Sequence, residues 1–443
     1  MNRWLDGLRQ LRDYPSALAG LAIVVFLVAL SIYTVITIPY SDAIERWRGG
    51  EHWQRYPVNA GPVWSNRLIG GDLPATRRIS SAEAQRSVET FPGGKRISLP
   101  LTFDFQAGDF PSELSVFLES EFEQRQPFVR LTWHQPDGEA IPLGSYKIGR
   151  DQRIALSQDR ALQRRLGAPA HIGLFAADPA ADKPTVEAGT YRLTVDAIVF
   201  EEGANVSAEL VAYGQVHGLA GTDHQRRNLM LALLWGTPIA LAFGLIATVG
   251  TTITTLVVAA TGVWFGGWVD AMIQRLTEVN MILPLLPILV MVGSLYSTSI
   301  WLILLVVVLL GIFSAGIKTY RAMLLPIREA PYIEAARAYG AGNWRIIFRY
   351  MIPRVLPVLI PTFVTLIPTY VFLEASLAVL GLGDPSLPTW GKLLNAAQEQ
   401  SALYHGFLYW VLEPAALLML TGLGFAMLGF ALDRVFNPRL RNL

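Results

Sequence analysis

The chain has 443 residues, of which 52% are hydrophobic and 16% are charged, and its mean hydropathy is +0.36. A soluble domain carries about 25% charged residues, so these values exclude a purely soluble globular protein and favour a membrane protein. The net charge of +1 argues against a nucleic-acid-binding protein with a basic face. The sequence has no cysteine, which excludes disulfides, thiolate nucleophiles, iron–sulfur clusters and cysteine-ligated zinc.

The first residues place apolar side chains at helical spacing, namely Trp4, Leu5, Leu8 and Leu11. Charged residues stand between them, and Trp4 is of the type that lies at the level of lipid headgroups. This pattern predicts a short interfacial helix before the first membrane span. The alternative is a frayed polar tail.

Six stretches are apolar enough to cross a bilayer, which takes about 20 residues. They are residues 17–38, 229–264, 268–295, 300–325, 356–382 and 412–436. The first is too long for a removable signal peptide and lacks the small-residue cleavage site. The sequence therefore predicts an α-helical multi-pass membrane protein with six transmembrane helices.

The arginines of the short loops fall in three groups, at residues 3–12, 321–354 and 434–441. Positively charged side chains stay on the cytoplasmic side of a membrane. Six spans with both termini in the cytoplasm place all three groups on that side. Residues 41–222, between the first two spans, are then extracytoplasmic.

This long insert is polar, and from about residue 90 it contains β-rich runs with turn residues between them. The predicted strands are residues 96–105, 128–134, 141–148, 170–175, 189–200 and 204–213. Glu202-Gly203 predicts a hairpin between the last two runs, residues 161–166 predict a helical turn or two, and residues 47–92 are predicted to be irregular. We expect a β-sandwich-like domain inserted between helices 1 and 2.

The insert contains no residue pattern that indicates a catalytic or metal-binding site. Its histidines, His52, His134, His171 and His217, do not have metal-ligand spacing. We therefore expect a domain that makes contacts, either by docking a partner or by shaping an entrance to the membrane domain.

Residues 326–355 are the most informative stretch of the chain. Pro331 suits the first position of a helix. Gly340 and Gly342 allow the left-handed backbone that ends a helix, and Asn343 can cap the next one. The stretch therefore predicts two short helices joined by a glycine turn. Small residues and charges on the first helix and the next favour a surface that another protein approaches closely, and these are Glu334, Ala335, Ala336, Arg337 and Arg345.

This stretch resembles the EAA loop of ABC importer permeases, because Glu334, Ala335, Ala336, Gly340 and Pro353 match its pattern in register. Tyr350 and Ile352 stand where the family has Ile and Leu. The resemblance implies that Glu334, Ala335, Ala336, Gly340, Arg345 and Pro353 couple the chain to a separate ATPase subunit. A connector with chance alanines is the alternative.

Other segments are similar to the C-type permease subunit of dipeptide/oligopeptide importers. They are Gly221-Thr222-Asp223 with Arg227, residues 265–270, 374–383 and 388–391, and Asp433 with residues 437–440. Arg226 and Asn228 replace a usual Gly and Asp. The resemblance is weak over residues 1–40 and close over residues 215–443, and it implies the type I ABC importer fold. The domains are then residues 1–40 (interfacial helix and first span), 41–222 (insert) and 223–443 (permease core with the EAA loop at 326–355).

Charges inside the predicted spans need their own explanation because they are costly in lipid. Arg275 and Glu278 stand three residues apart and can pair with each other. Glu374 lies among small residues, where a structural role and a place on the translocation pathway are both open.

The chain carries no visible catalytic set. Gly391-Lys392 lacks the remainder of a phosphate-binding loop, and neither a zinc-protease helix nor a nucleophile elbow occurs. The chain is therefore predicted to be a permease rather than an enzyme, without a cofactor or metal of its own, and ATP and Mg²⁺ are expected on partner ATPase subunits.

The leading hypothesis is a permease subunit of a binding-protein-dependent ABC importer in the cell inner membrane, transporting peptides or a similar small solute. The resemblance implies a homologous permease as heterodimer partner, two ATP-binding subunits or domains and an extracytoplasmic solute-binding protein. A membrane receptor or assembly factor with a ligand-binding external domain is the alternative. Secondary transport would call for paired membrane carboxylates or an internal repeat, and the sequence shows neither.

Overall fold

The computed structural model describes residues 15–436, without the side chains of Ile69, Val435 and Phe436. The chain forms two compact units, a helical unit of Met1–Arg48 and Leu231–Leu443 and a β unit of Gly49–Met230. The predicted interfacial helix and residues 437–440 lie outside the described residues. The domain boundaries drawn from the sequence at residues 41 and 222 stay a prediction.

The helical unit is built from apolar helices with short connections. Its helices are α1 (Pro15–Thr37), α2 (Tyr40–Trp47), α6 (Leu229–Phe265), α7 (Gly267–Ile282), α8 (Leu285–Leu295), α9 (Ile300–Ile312), α10 (Gly316–Arg328), α11 (Pro331–Ala338), α12 (Asn343–Ile346), α13 (Ile352–Leu377), α14 (Trp390–Glu399) and α15 (Leu408–Phe436). Helix α6 begins two residues before the helical unit does.

Within residues 15–436, four helical stretches are each long and apolar enough to cross a membrane: Pro15–Thr37, Leu229–Phe265, Asn343–Leu382 and Leu408–Arg434. Two further pairs qualify only as bent spans, α7 with α8 at 78° and α9 with α10 at 46°. The structure thus holds four to six candidate spans. The multi-pass helical class is confirmed, whereas the count of six stays a prediction.

Small residues bring the helices of this unit together. A Cβ atom on Gly20 of α1 would lie 2.7 Å from the Leu428 nitrogen of α15, and one on Gly424 would lie 2.6 Å from Ile23 Cγ2 of α1. Helices that pack in lipid rely on such close backbone approach, since no water is released between them. Helices α1 and α15 are therefore paired by their glycines.

The β unit contains nine strands in two antiparallel sheets. The strands are β1 (Arg77–Ser80), β2 (Ser87–Phe91), β3 (Gly94–Phe105), β4 (Glu113–Glu121), β5 (Phe128–His134), β6 (Ala140–Lys147), β7 (Asp151–Ala155), β8 (Gly189–Val199) and β9 (Asn205–Tyr213). Their order is β1-β9-β4-β7 in one sheet and β2-β3-β8-β5-β6 in the other. Three short helices accompany them, α3 (Ser65–Ile69), α4 (Arg160–Leu166) and α5 (Ala170–Gly173).

Both sheets contribute to one apolar core, as in a sandwich. Strands β3, β5 and β8 supply alternate residues such as Leu101, Trp133 and Leu193, and strands β4 and β9 supply Val116 and Leu210. This alternation is the pattern of strands with one buried face. A β-rich region distinct from the helical unit is therefore confirmed.

Several local predictions in this unit are wrong. Residues 170–175 form helix α5 and a turn instead of a strand, although Leu174 and Phe175 are buried in the core. A short apolar run fits a buried strand and a buried helical turn equally well. Residues 47–92 are not wholly irregular, since they contain α3, β1 and β2.

The predicted hairpin at Glu202-Gly203 is also wrong. Strands β8 and β9 belong to different sheets, so residues 200–204 cross from one sheet to the other. The Glu201 carboxylate accepts hydrogen bonds from the backbone N–H groups of residues 123, 124 and 125, at 2.7, 2.7 and 2.6 Å. These bonds lower the pKa of Glu201 and fix the crossover to the connection between β4 and β5.

Candidate functional site

The candidate site is the loop formed by α11, the turn after it, α12 and the start of α13. Helix α11 begins at Pro331, as predicted, because a proline at this position loses no hydrogen bond. Its inward side chains, Ile333 and Ala336, are buried, and Ile333 belongs to a cluster contributed by α6, α7, α10 and the residues that follow the turn. This cluster includes Leu256, Val263, Ile273, Ile317, Leu324, Ile346, Ile347 and Met351. The first helix of the loop is therefore fixed on the helical unit.

A glycine turn ends α11. Gly340 has φ +77°, its N–H donates to the Arg337 carbonyl at 2.9 Å, and the N–H of Ala341 donates to the Ala336 carbonyl at 3.0 Å. These two bonds and the left-handed residue define a Schellman motif, in which glycine is favoured because it has no Cβ to clash in this conformation. Gly340 therefore has the left-handed backbone that was predicted for the end of this helix.

The second glycine of the turn behaves differently from the expectation. Gly342 has φ −68° and ψ 157°, which any residue adopts, and it occupies the N-cap position of α12. Asn343 is the first residue of that helix, and no side-chain hydrogen bond caps it. Only one of the two glycines therefore has a conformational reason to be glycine.

The second helix of the loop opens into a π turn before α13. Residues Ile347–Met351 form this turn, and the N–H of Ile352 donates to the Ile347 carbonyl, five residues earlier. Pro353 explains the widening, since it has no N–H and its ring would clash with the carbonyl four residues before it. The candidate residue Pro353 thus shapes the passage from loop to span.

The outer face of the loop is left open. Glu334, Ala335, Gly340, Arg345 and Pro353 are exposed, whereas Ala336 is buried. Of the predicted coupling residues, five therefore share the outer surface and one supports it from below. Tyr339, at the tip, is 92% exposed. Arg337 packs inward at its end, with its guanidinium 4.3 Å from the centre of the Trp264 ring.

An aromatic ridge beside this face was missed by the sequence analysis. Trp344 contacts Phe265 edge-to-face and Phe348 in a stacked geometry, each with ring centres 6.0 Å apart. All three side chains are about half exposed. The spacing of Trp344 and Phe348, four residues apart on a helix, was the available signal.

An ion pair braces the helices beneath the loop. The Asp270 carboxylate of α7 accepts from Arg321 of α10 at 2.9, 3.0 and 2.7 Å. Gly266 and Gly267, with φ values of +61° and +53°, make the sharp turn that places Asp270 there. The sequence analysis includes Asp270 in the family resemblance and Arg321 in an arginine group that indicates membrane orientation. It does not predict that the two residues pair.

The segment that precedes α6 explains two departures from the family pattern. Asp223 and Arg227 are buried and joined by an ion pair of 2.6 Å. Arg226 stands where glycine is usual and has φ +66°, a conformation that glycine favours. Its guanidinium bonds Glu113 at 2.5 Å and lies 4.7 Å from the Tyr213 ring centre. Asn228 accepts from the Met230 N–H at 3.0 Å, as an aspartate at the start of a helix would.

The three charges that the sequence analysis singles out in the predicted spans, Arg275, Glu278 and Glu374, have partners. Arg275 pairs with Glu278 at 3.0 Å on an exposed face, and Lys318 lies 3.9 Å from Glu278. Glu374 is 7% exposed, and its carboxylate accepts a hydrogen bond from the Thr389 side chain. Thr389 also caps α14 by accepting from the Lys392 N–H at 3.2 Å. Glu374 thus lies in the packed contact between α13 and α14.

Residues 15–436 contain no group of three or more His, Asp or Glu side chains that could hold a metal. The loop, with its rigid base and open face, is suited to docking.

Comparisons with known proteins agree with this arrangement. Residues 251–442 match the family model described as binding-protein-dependent transport system inner membrane component. A putative peptide permease protein of Brucella suis biovar 1 is 30% identical over 220 residues, which are 49% of this chain and 72% of that protein. The chain belongs to this family.

Two further relatives are similar in extent. The glutathione transport system permease protein GsiD of Pectobacterium atrosepticum is 31% identical over 226 residues, covering 50% of this chain and 73% of its own length. The dipeptide transport system permease protein DppC of Alkalihalophilus pseudofirmus is 28% identical over 225 residues, covering 50% and 72%. The chain is accordingly a permease subunit of an ABC importer, a multi-pass membrane protein that works with ATPase and solute-binding partners. A transporter permease is not itself an enzyme.

Proposed function

We propose that this permease forms half of the translocation pathway of an ABC importer for peptides or a similar small solute, and that the loop around Gly340 couples it to a separate ATPase subunit. The observation that carries the coupling is the open outer face of a loop whose base is buried. A docking surface needs exposed contact residues that are held in place by a rigid, well-packed base. Glu334, Ala335 and Arg345 supply the first, and the cluster beneath α11 supplies the second.

The loop is proposed to lie in the cytoplasm together with both termini, across six spans that count each bent pair as one. The arginines of residues 321–354 support this orientation through the positive-inside rule. The β unit is then extracytoplasmic, inserted between the first two spans of a type I importer fold. There it would dock the solute-binding protein or shape the pathway entrance.

The solute class is proposed from the relatives, whose names assign peptides, dipeptides and glutathione to them. The proposed complex contains a second, homologous permease, two ATP-binding subunits or domains and a solute-binding protein. ATP and Mg²⁺ would bind to the ATPase subunits, and this chain would hold no cofactor. The role of a membrane receptor or assembly factor has no support from the family.

Gly340→Ala tests the coupling, because the turn needs a left-handed residue while nothing lies within 4 Å of the added Cβ. The strain of about 1–2 kcal/mol falls on the turn alone. We expect a roughly five- to thirtyfold loss of ATPase-subunit retention, measured by co-purification from membranes.

Gly342→Ala is the matched control, since it lies two residues away with φ −68° and has no atom within 4 Å of the added Cβ. It should retain the ATPase subunit as the unaltered chain does. Equal retention by the two variants, together with unchanged uptake, would contradict the coupling role of the loop.

A further inference from the structure

Two pairs of helices in the helical unit are broken rather than straight. Helix α7 ends at Ile282 and α8 begins at Leu285, and α9 ends at Ile312 and α10 begins at Gly316. Irregular backbone at membrane depth is tolerated only where it is buried in protein or lines a water-filled cavity. The breaks therefore require a structural explanation.

Side chains satisfy the backbone of the second break. Asn280 Nδ2 donates to the carbonyls of Leu310 and Phe313 at 2.9 and 3.1 Å. Thr255 Oγ1 lies 3.0 and 3.3 Å from the carbonyl oxygens of Ile312 and Gly311, which share its single proton. Each of the four carbonyl groups of residues 310–313 thus lies within hydrogen-bond distance of one of these side chains. The sequence specifies this break.

A proline specifies the first break. Pro284 precedes α8, and Leu283 before it is extended, with φ −70° and ψ 127°. The residue before a proline disfavours helical backbone, because the ring crowds it. Since Asn280 lies one turn earlier and bonds the end of α9, the two breaks are linked to each other.

A cavity of about 370 Å³ lies between the breaks, and we name it the break cavity. Its wall includes Asn280 and Leu283 from the first break, Ser314 and Ala315 from the second, and Tyr370 from α13. The Tyr370 hydroxyl lies 3.1 Å from Thr251 Oγ1, which fixes its position. The volume is within the range of about 300–1,000 Å³ that small-molecule sites occupy.

The lining is apolar apart from an amide and two hydroxyls, those of Asn280, Ser314 and Tyr370. No charged residue of the described part of the chain contributes to it. Burying a charge here without a partner would be costly, whereas a neutral polar group could exchange hydrogen bonds with the wall. A lipid tail would offer these groups no hydrogen-bond partner.

We propose that the break cavity is where this subunit contacts the solute in transit, and that it receives an uncharged, hydrogen-bonding part of that solute, such as a peptide bond or a hydroxyl. The proposal rests on the proposed import function. It places the pathway contact at Tyr370, one helical turn before Glu374, which is bonded to Thr389 and does not line the cavity.

Thiol labelling tests the proposal without knowledge of the solute, because the chain has no native cysteine. Ser314→Cys places one thiol in the cavity wall, and Leu305→Cys places one on an exposed face of α9, where Leu305 is 54% exposed. Both would be made in the complete transporter reconstituted in liposomes. The probe is a charged methanethiosulfonate reagent, which reacts with thiols that water reaches.

We expect the Ser314→Cys thiol to react at least about tenfold faster than the Leu305→Cys thiol, a difference of about 1.4 kcal/mol. Trialanine should slow the labelling of Ser314→Cys. Labelling of Ser314→Cys that is no faster than that of Leu305→Cys would overturn the proposal.

Tyr370→Phe removes one hydroxyl from the wall, and Tyr320→Phe is its control, a buried tyrosine of α10 outside the cavity. We expect Tyr370→Phe to raise the KM for trialanine uptake about fivefold or more, with little change in the maximal rate and with the ATPase subunit retained. An equal change in both variants, or none in Tyr370→Phe, would contradict a contact with solute. Loss of the ATPase subunit is the failure expected of Gly340→Ala and concerns the proposed function. If the unaltered transporter takes up no trialanine, the peptide assignment fails, and the labelling experiment still decides whether the cavity is open.

Discussion

The helical unit and the β unit distribute polar and apolar side chains in opposite ways. In the β unit the large side chains of the sandwich core, such as Trp133, Tyr191 and Phe175, are fully buried. In the helical unit many large apolar side chains are exposed, among them Ile282 at 82% and Phe430 at 72%. Its buried polar residues are mostly threonines, namely Thr34, Thr237, Thr248, Thr251, Thr252, Thr255, Thr277, Thr389 and Thr421.

This inversion shows which solvent each unit is built for. Water drives apolar side chains into a core, which the sandwich provides. Lipid exerts no such force between helices, so that small and hydroxyl-bearing residues form the helix contacts while apolar residues face outward. One chain thus applies both rules, and the change occurs near the start of α6.

The largest effect on stability is expected from a substitution in the sandwich core of the β unit. Trp133→Ala should lower the free energy of unfolding of the β unit by about 3–5 kcal/mol. Trp133 is fully buried, and its indole N–H donates to the Leu174 carbonyl at 3.0 Å. Faster hydrogen–deuterium exchange in β5 and β8 of the purified Trp133→Ala variant would show this loss of stability. Val88→Ala, at a position 47% exposed, is the control and should leave exchange unchanged.

A lysine at an exposed apolar position should be costly in the helical unit and tolerated in the β unit. In the helical unit, Leu305→Lys introduces a charge into lipid at a cost of about 2.5–3.5 kcal/mol. In the β unit, Val88→Lys faces water and should change stability by no more than about 0.5 kcal/mol. Membrane-integrated yield and thermal unfolding in lipid nanodiscs measure the difference. Similar penalties at the two positions would contradict the assignment of solvents.

The smallest expected effect is the pH dependence of the β unit. Burial lowers the pKa of His171 and of His217 below the ordinary value of 6.5. The unfolded chain therefore binds protons more readily than the folded unit, so the stability from both groups is complete above about pH 6.5 and is lost as the pH falls through the folded pKa values.

The effect should be smaller than the loss of stability expected from Trp133→Ala. Denaturation midpoints of the β unit at pH 7.5 and pH 5.5 measure it. A midpoint that rises at pH 5.5 would contradict the sign. Glu201, whose pKa is lowered, loses its contribution in the same direction but only below about pH 4.5.

Strands with one buried face were predictable because alternation marks them. Strand β5 has the predicted bounds, and β3 and β8 differ from the prediction by two residues or fewer. Strand β4 was missed because its two faces are both covered. Val116 and Leu118 point into the core, and Phe117 on the other face lies under Arg55 at 4.9 Å. Because Arg55 is 62 positions before Phe117 in the chain, the local sequence pattern does not reveal that Phe117 is covered.

The same limit applies to the candidate site. The turn at Gly340 was predictable, since its motif is local. Whether Gly342 needed glycine, and which alanine faces outward, depended on how α11 packs on α6 and α10. The link between Asn280 and the end of α9 joins residues about 30 positions apart, and a single sequence does not reveal such a pair.

Helix α12, the π turn, α13 and the turn that follows it form one helical stretch, Asn343–Leu382, of 40 residues. At 1.5 Å per residue, the path along this stretch is about 60 Å long, and it is interrupted by the π turn and by Gly381, which has φ +86°. The loop proposed to couple to the ATPase subunit and the far end of the span thus belong to one continuous helical stretch. A tilt of about 5° at the loop displaces the other end by roughly 5 Å. A displacement of that size is comparable to the width of a passage for a small solute.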